Sequence, residues 1–326
     1  MEVQPDFRDP FVLFNAHRVE YVIVGSKEAV FFFEYQDVIS GKIAANATNP
    51  YTMLNTRAFS DQIRSFYEQY DEASRLTTDF KLEFARTQEI LMRYLPSPPA
   101  VILDIGGGPG VYACWLAGLG YEVHLIDPVP SHVEQARQAS ERQPEQPIAS
   151  AEVGDARDLA FSDGFADVVL MLGPLYHLTE RADRLTALRE ARRVLKDGGL
   201  MVSAFISRFA SLMDGFFRNM FDDAVFVDIV QQDLRDGRHR NPTDDLAYFT
   251  DAYLHLVDEI ETEIVEAGLA YEQTLAVEGP GWLLPDFDAW WEDEDRRRRL
   301  LDLLRSVEQE RSMLGVSAHL LGIARK

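Results

Sequence analysis

The stretch of this chain best suited to chemistry is Val101-Ile102-Leu103-Asp104-Ile105-Gly106-Gly107-Gly108-Pro109-Gly110: a short apolar run, a carboxylate and a glycine-rich turn. Glycines let a backbone approach a ligand closely and take up positive φ. A turn of this kind, between the first strand of a parallel sheet and its helix, is where doubly wound folds bind nucleotides. A dinucleotide-binding turn spaced G-x-G-x-x-G would need a glycine at position 111, and Val111 stands there. The spacing is G-x-G-x-G instead, with Asp104 just ahead of it. Further along, Asp127 ends Leu125-Ile126-Asp127, and Asp155 lies in Gly154-Asp155-Ala156-Arg157-Asp158-Leu159. Tyr176 and His177 lie in Met171-Leu172-Gly173-Pro174-Leu175-Tyr176-His177-Leu178.

The elements that must position these residues follow from hydrophobic period and turn chemistry. Val101 to Ile105 reads as a buried strand bounded by Pro99 and Gly106, and Val111 to Leu119 as the helix after it. Strands are expected at Glu122–Ile126, Ile148–Val153, Asp167–Leu172 and Leu200–Ile206, with helices at Ser131–Glu141 and Thr179–Leu195. This βαβα alternation specifies a parallel sheet covered by helices on both faces. Ahead of it, 53–98 reads as a helical cap, with Phe59, Ile63 and Phe66/Tyr67 on one face; Pro96, Pro98 and Pro99 end it. Beyond the core of 99–206, the aromatic run from Phe209 to Phe221 reads as a helical insertion, 207–253, placed as a lid over the sheet's carboxyl edge. The remainder, 254–326, supplies a helix over Leu254–Ala267, strands at Tyr271–Val277 and Val316–Ala324, and between them a helix from about Phe287 to Glu310.

Composition narrows the class. With 46% hydrophobic and 26% charged residues among 326, the chain is globular in type. A formal net charge of −22 repels phosphate backbones and argues against nucleic acid as a partner. The acid-then-arginine run from Glu292 to Arg299 reads as a solvated helix face with internal ion pairs. No apolar run approaches the roughly 18 residues of a membrane helix, and no signal-peptide layout is present. A single cysteine, Cys114, excludes an intrachain disulfide framework and reads as core within its helix. The histidines show no metal-ligand spacing, so no metal is expected. A cytoplasmic protein without a membrane partner fits these readings; a homodimer stays open.

Asp104, Gly106, Gly108 and Gly110 together resemble the first motif of the class I S-adenosylmethionine (SAM)-dependent methyltransferases, and the likeness extends over about residues 100 to 206. It implies a Rossmann-like α/β fold with a seven-stranded, mostly parallel sheet and SAM as cofactor. In that family the glycine turn passes under the methionine and ribose. Asp127 would then accept hydrogen bonds from the ribose hydroxyls, and Asp155 with Ala156 would face the adenine. Leu172 and Gly173 would run beneath the cofactor, and Arg193 to Leu200 resembles the turn before the fifth strand. The final strand should lie antiparallel between the fifth and sixth. The loop at 172–178 and the insertion look like those of small-molecule methyltransferases related to the ubiquinone/menaquinone group.

The cofactor brings the reactivity in such a reaction, and the protein supplies alignment. Where the acceptor needs a base, His177 and Tyr176 are the expected catalytic residues; helix-start packing or a cofactor contact is the alternative for both. Tyr67 and Tyr70 either close the pocket or pack a helix face. Tyr253 and His255 are placed to face the acceptor. The expected function is methyl transfer to a small-molecule acceptor. A SAM-binding protein without turnover and a nicotinamide-dependent oxidoreductase are the alternatives. Phe14 to Gly25 also resembles the opening of small nucleotidyltransferase domains. Gly25-Ser26 is present but no Asp-x-Asp follows, so residues 1–52 read as a decayed or over-extended beginning, with Met53 a natural start.

Overall fold

The computed structural model describes residues 21–26, 29–34, 63, 66–67, 72–243 and 245–326. The chain divides into two units, residues 1–58 and 59–326. In the first, β1 (Tyr21–Ser26) and β2 (Ala29–Glu34) form an antiparallel hairpin with Tyr21 opposite Glu34. Of the residues singled out above, Phe14 to Glu20, Met53, Phe59 and Tyr70 lie outside the described residues.

In the second unit Ile63, Phe66 and Tyr67 are helical, and α1 (Glu72–Thr78) and α2 (Lys81–Tyr94) follow. The alternation is then β3 (Val101–Ile105), α3 (Val111–Gly118), β4 (Glu122–Asp127), α4 (Pro130–Glu141), β5 (Ser150–Val153) and β6 (Ala166–Met171). After it come α5 (Pro174–His177), α6 (Arg181–Val194) and β7 (Leu195–Ser207). The insertion holds α7 (Ala210–Arg218), α8 (Ala224–Asp236), β8 (Arg238–His239) and β9 (Ala252–His255). The chain closes with α9 (Val257–Glu266), β10 (Ala270–Ala276), α10 (Phe287–Glu292), α11 (Glu294–Val307) and β11 (His319–Arg325).

The main sheet runs β10-β11-β7-β6-β3-β4-β5, parallel except for β11, which is antiparallel to both β7 and β10. The expected order of the last two strands therefore holds. Parallel strands covered on both faces alternate between two cores. Ile102, Val168 and Leu170 face one core with Leu116 and Ala136, while Leu103, Val169 and Met171 face the other with Leu188 and Ile264. Among the described residues, no helix is long and apolar enough to cross a membrane.

Three expectations change. The insertion is not wholly helical: β9 joins the sheet beside β7, with Leu254 opposite Ile206 and His255 opposite Ser207. The helix expected from Leu254 therefore begins at Val257, because the backbone of 252–255 is already committed to the sheet edge. The long helix expected near the end is two, α10 and α11, divided at Asp293, whose carboxylate caps the backbone N–H groups of Asp295 and Arg296. Exposed ion pairs of Arg296 with Asp293 and of Arg298 with Asp295 make that segment the solvated face the sequence indicated.

Candidate functional site

The glycine turn crosses the carboxyl ends of β3 and β4. Gly106 has φ +71°, and a Cβ there would come within 2.7 Å of the Pro174 ring, so β6's exit loop closes on the turn. Its N–H donates to the Ile126 carbonyl at 2.7 Å. Gly108 has φ +54°, and its N–H donates to Asp127 Oδ2 at 2.9 Å. Val129 N–H donates to the other oxygen, Oδ1, at 2.9 Å, which fixes the carboxylate at the end of β4. His132 lies beside it, with Nδ1 3.3 Å from Asp127 Oδ1. Asp104 sits beneath the turn, buried, with Oδ2 lacking a hydrogen-bond partner. Burial, and then the charge of Asp127, push its carboxyl up to about 7.

Asp155 accepts from the Arg157 backbone N–H at 2.8 Å and from its guanidinium at 2.9 and 2.6 Å. Arg157 also reaches Asp183 at 2.8 Å, so the acidic segment is tied to α6. Tyr176 is buried and its hydroxyl donates to the Leu172 carbonyl at 3.4 Å. Burial raises the Tyr176 hydroxyl. His177 is buried as well. Its Nδ1 faces the Asp251 carbonyl at 3.4 Å, an acceptor only, so that nitrogen carries the proton and Nε2 accepts from the Tyr67 hydroxyl at 2.7 Å. Burial brings His177 down to about 4, which keeps the ring neutral at ordinary pH.

Asp104, Gly106, Gly108, Asp127, Asp155, Ala156, Leu172, Gly173, Tyr176 and His177 line one groove of about 110 Å³. Gly110 does not line it. A Cβ at Gly110 would lie 2.9 Å from the Ala136 side chain, so its contribution is close packing of α3 on α4. A larger cavity of about 520 Å³ adjoins the groove. Tyr67, Glu72, Arg75, Glu83, Tyr176 and His319 border both spaces.

Of these six, the sequence had singled out the two tyrosines alone. Arg75 binds Glu83 through two hydrogen bonds of 2.8 and 3.0 Å and Glu72 through one of 2.9 Å. His319 Nδ1 bonds Glu278 Oε1 at 2.6 Å. Burial lowers the His319 pKa, yet Glu83 and Glu278 outweigh it and carry the imidazole up to about 9. Glu83, Glu278 and His319 can each offer one donor atom within 4.8 Å of the others. The guanidinium on Glu83 and the imidazole on Glu278 already neutralise those carboxylates, an arrangement that opposes a dication.

Tyr253 and His255 border neither space. Arg184 lies 3.8 Å above the Tyr253 ring, and His255 Nε2 is 3.5 Å from Glu263 Oε2. Both belong to the ion-pair cluster that pins α9 against α6, and their expected place at the acceptor is corrected accordingly. Of the tryptophans, Trp282 lines the larger cavity, with its indole N–H donating to the Val316 carbonyl at 2.9 Å. Cys114 is half-buried in α3.

Residues 103–203 match the family model described as a methyltransferase domain. Over residues 103–203 the chain carries a methyltransferase domain. A protein of Encephalitozoon cuniculi named as a methyltransferase is 31% identical over 143 residues, covering 43% of this chain and 60% of that protein. The ubiquinone/menaquinone biosynthesis C-methyltransferase of Caulobacter vibrioides is 33% identical over 127 residues, covering 36% of this chain and 49% of that enzyme. The chain thus spans 60% and 49% of the length of these two relatives. A solved SAM-dependent methyltransferase from Mesorhizobium loti superposes with a TM-score of 0.50 at 18% identity, over 75% of this chain and 100% of that one, a likeness of fold. The methyltransferase domain accounts for the glycine turn, Asp127 and the β6 exit loop; the larger cavity is built mostly from chain outside 103–203.

Proposed function

We propose that this protein binds SAM in the groove and transfers its methyl group to a small-molecule acceptor held in the larger cavity. The observation that carries the reading is the adjacency of the two spaces: a groove under a glycine turn, and a second cavity sharing a wall with it. The donors present fit the cofactor. Asp127 keeps lone pairs beyond its two backbone bonds for a pair of ribose hydroxyls. A Cβ at Gly108 would find no atom nearer than 3.8 Å, so the turn is open on the side where a ligand would lie. Asp155 and Ala156 are assigned to the adenine, Leu172 and Gly173 to the floor beneath the cofactor. At about 110 Å³ the groove is tight for such a ligand. Tyr67 packs edge-on against His132 and His177 at 5.5 and 5.3 Å and so walls the groove on that side.

Bound SAM would supply an electrophilic methyl group; the chain's own residues align the acceptor and exclude water. Tyr67 and His177 form a neutral hydrogen-bonded pair at the groove, which suits them to positioning. The net charge of −22 supports a small molecule over nucleic acid as acceptor. We assign 99–206 to cofactor binding, 53–98 to the cap, 207–253 to the acceptor lid and 254–326 to completion of the sheet.

Calorimetric titration with SAM, S-adenosylhomocysteine and NAD tests the reading, with Asp127→Ala alongside. Micromolar binding of both sulfur nucleosides, absent for NAD and weakened at least about 100-fold in the variant, is expected, since a lost pair of charge-assisted bonds is worth about 3 kcal/mol. Binding of NAD alone, or of none of the three, refutes it.

A further inference from the structure

A methyl group passed from the groove to the larger cavity crosses the wall they share, so the residues bordering both spaces are the ones its donor atom meets. Glu72, Glu83, Arg75 and His319 are the charged members of that wall. Glu278 belongs with them: it is buried, and its Oε1 accepts from His319 Nδ1 at 2.6 Å. Arg75 gives Glu83 two hydrogen bonds, at 2.8 and 3.0 Å. His319, an imidazolium at neutral pH, faces Glu278 and, at 3.8 Å, Glu83. Three carboxylates thus stand against two cations.

Glu72 is the carboxylate left over. Its Oε1 takes one bond, from Arg75 Nε at 2.9 Å, on a guanidinium already committed to Glu83. Among the described residues its Oε2 has no hydrogen-bond partner. Burial pushes the Glu72 carboxyl up from its ordinary 4.5 in spite of Arg75, the mark of a charge only partly offset. The remaining arginines along the two spaces are taken, Arg157 by Asp155 and Arg218 by Asp214, and His132 stands against Asp127. Position matters as much as charge. A Cβ at Gly108 would meet Glu72 Cγ at 3.8 Å, so this side chain lies beside the glycine turn where it reaches the shared wall.

A sulfonium suits that remainder. It carries one positive charge and no hydrogen to donate, so a nearby counter-charge recognises it where a directed hydrogen bond cannot. Resting on the methyltransferase reading above, we propose that Glu72 is the counter-charge to the sulfonium of SAM and makes the protein favour the charged cofactor over its neutral product, S-adenosylhomocysteine. One incoming positive charge balances the cluster. Loss of the methyl group leaves a neutral thioether, restores the unmatched carboxylate and loosens the product. Glu72 sets specificity in this scheme and takes no part in the bond changes.

The test is calorimetric titration of the full chain with SAM, S-adenosylhomocysteine and sinefungin, an analogue that carries an ammonium in place of the sulfonium and has no methyl group to transfer. The three share their adenosine and amino-acid ends, so contacts to those ends cancel. In the wild type both cations bind at least as tightly as S-adenosylhomocysteine. Glu72→Gln weakens SAM and sinefungin at least about tenfold and S-adenosylhomocysteine less than about twofold, since an opposite charge at close range is worth a factor of about ten or more. Glu72→Asp, which keeps the charge, restores most of the preference, and both variants keep a cooperative melt. Equal weakening of all three ligands, or of none, overturns the proposal; the first result places Glu72 at an end they share. A wild type that binds S-adenosylhomocysteine more tightly than either cation overturns it as well, whether or not the variants fold. Failure of all three to bind the wild type identifies the earlier reading as the one at fault, and this proposal falls with it.

Discussion

Asp104 offers a perturbation whose size can be worked out from the structure. Its carboxyl is buried beneath the glycine turn, lacks a partner on Oδ2, and is raised from an ordinary value of 3.8 to about 7 by burial and by Asp127. The folded state therefore holds a proton that the unfolded chain has released over that interval. Stability follows the difference in protons bound, so this group's contribution is full below pH 3.8 and is lost as pH rises through 7. At about 1.4 kcal/mol per tenfold change in proton affinity, the whole loss is about 4 kcal/mol. The part falling between pH 5 and pH 8 is about 2.5 kcal/mol. Asp104→Asn keeps the shape and removes the titration. Its amide is also short of partners, so its absolute stability is uninformative and the pH dependence carries the result. In cofactor-free protein, urea denaturation at pH 5 and pH 8 is expected to show the wild type losing about 2.5 kcal/mol more than the variant, or roughly 5 °C in Tm for a unit of this size. Parallel pH profiles for the two proteins would refute the buried, proton-holding carboxyl.

Three further outcomes are expected. Arg184 is buried, bonds Glu263 at 2.7 and 2.9 Å and the Leu178 carbonyl at 2.9 Å, so Arg184→Ala strands a buried carboxylate. Chemical denaturation should register a loss of about 3–5 kcal/mol, and a loss below about 1 kcal/mol contradicts the ion-pair assignment. His177, lowered from 6.5 to about 4, contributes stability that is full above pH 6.5 and falls away as pH drops through 4. His177→Gln melts compared at pH 7 and pH 4.5 should show a flatter acid limb than the wild type, and an unchanged limb counts against its buried neutrality. Gly108→Ala, at φ +54°, should cost about 1–2 kcal/mol in stability and place a methyl group in the groove. Titration with S-adenosylhomocysteine should show at least a tenfold weaker complex, and unaltered affinity would remove the turn from the ligand's path.

Several features of this protein could be read from residue order because their causes are local. Pro99 and Gly106 bound Val101 to Ile105, a short run apolar but for Asp104, and a run that short between breakers reads as a buried strand. The G-x-G-x-G turn, Asp127 at the end of β4 and the β6 exit loop follow one another at fixed remove, so the groove was legible. Gly110 was misjudged because the spacing does not distinguish a glycine needed by a ligand from one needed by Ala136 on the next helix. The strand at Ala252–His255 escaped notice because β7 supplies its partner from about fifty residues earlier, and short apolar segments take whichever structure their neighbours satisfy.

The wall between the two spaces was decided by tertiary structure alone. Arg75 and Glu83 come from the N-terminal helices, while Glu278 and His319 come from the far end of the chain. No spacing rule relates positions separated by up to 244 residues (75 to 319). They meet because β11 turns back antiparallel between β7 and β10, which delivers its first residue to the carboxyl edge where the glycine turn also lies. Local chemistry in the sequence determined where the glycine turn, Asp127 and the β6 exit loop come together. The antiparallel course of β11 between β7 and β10 determined which groups stand beside them.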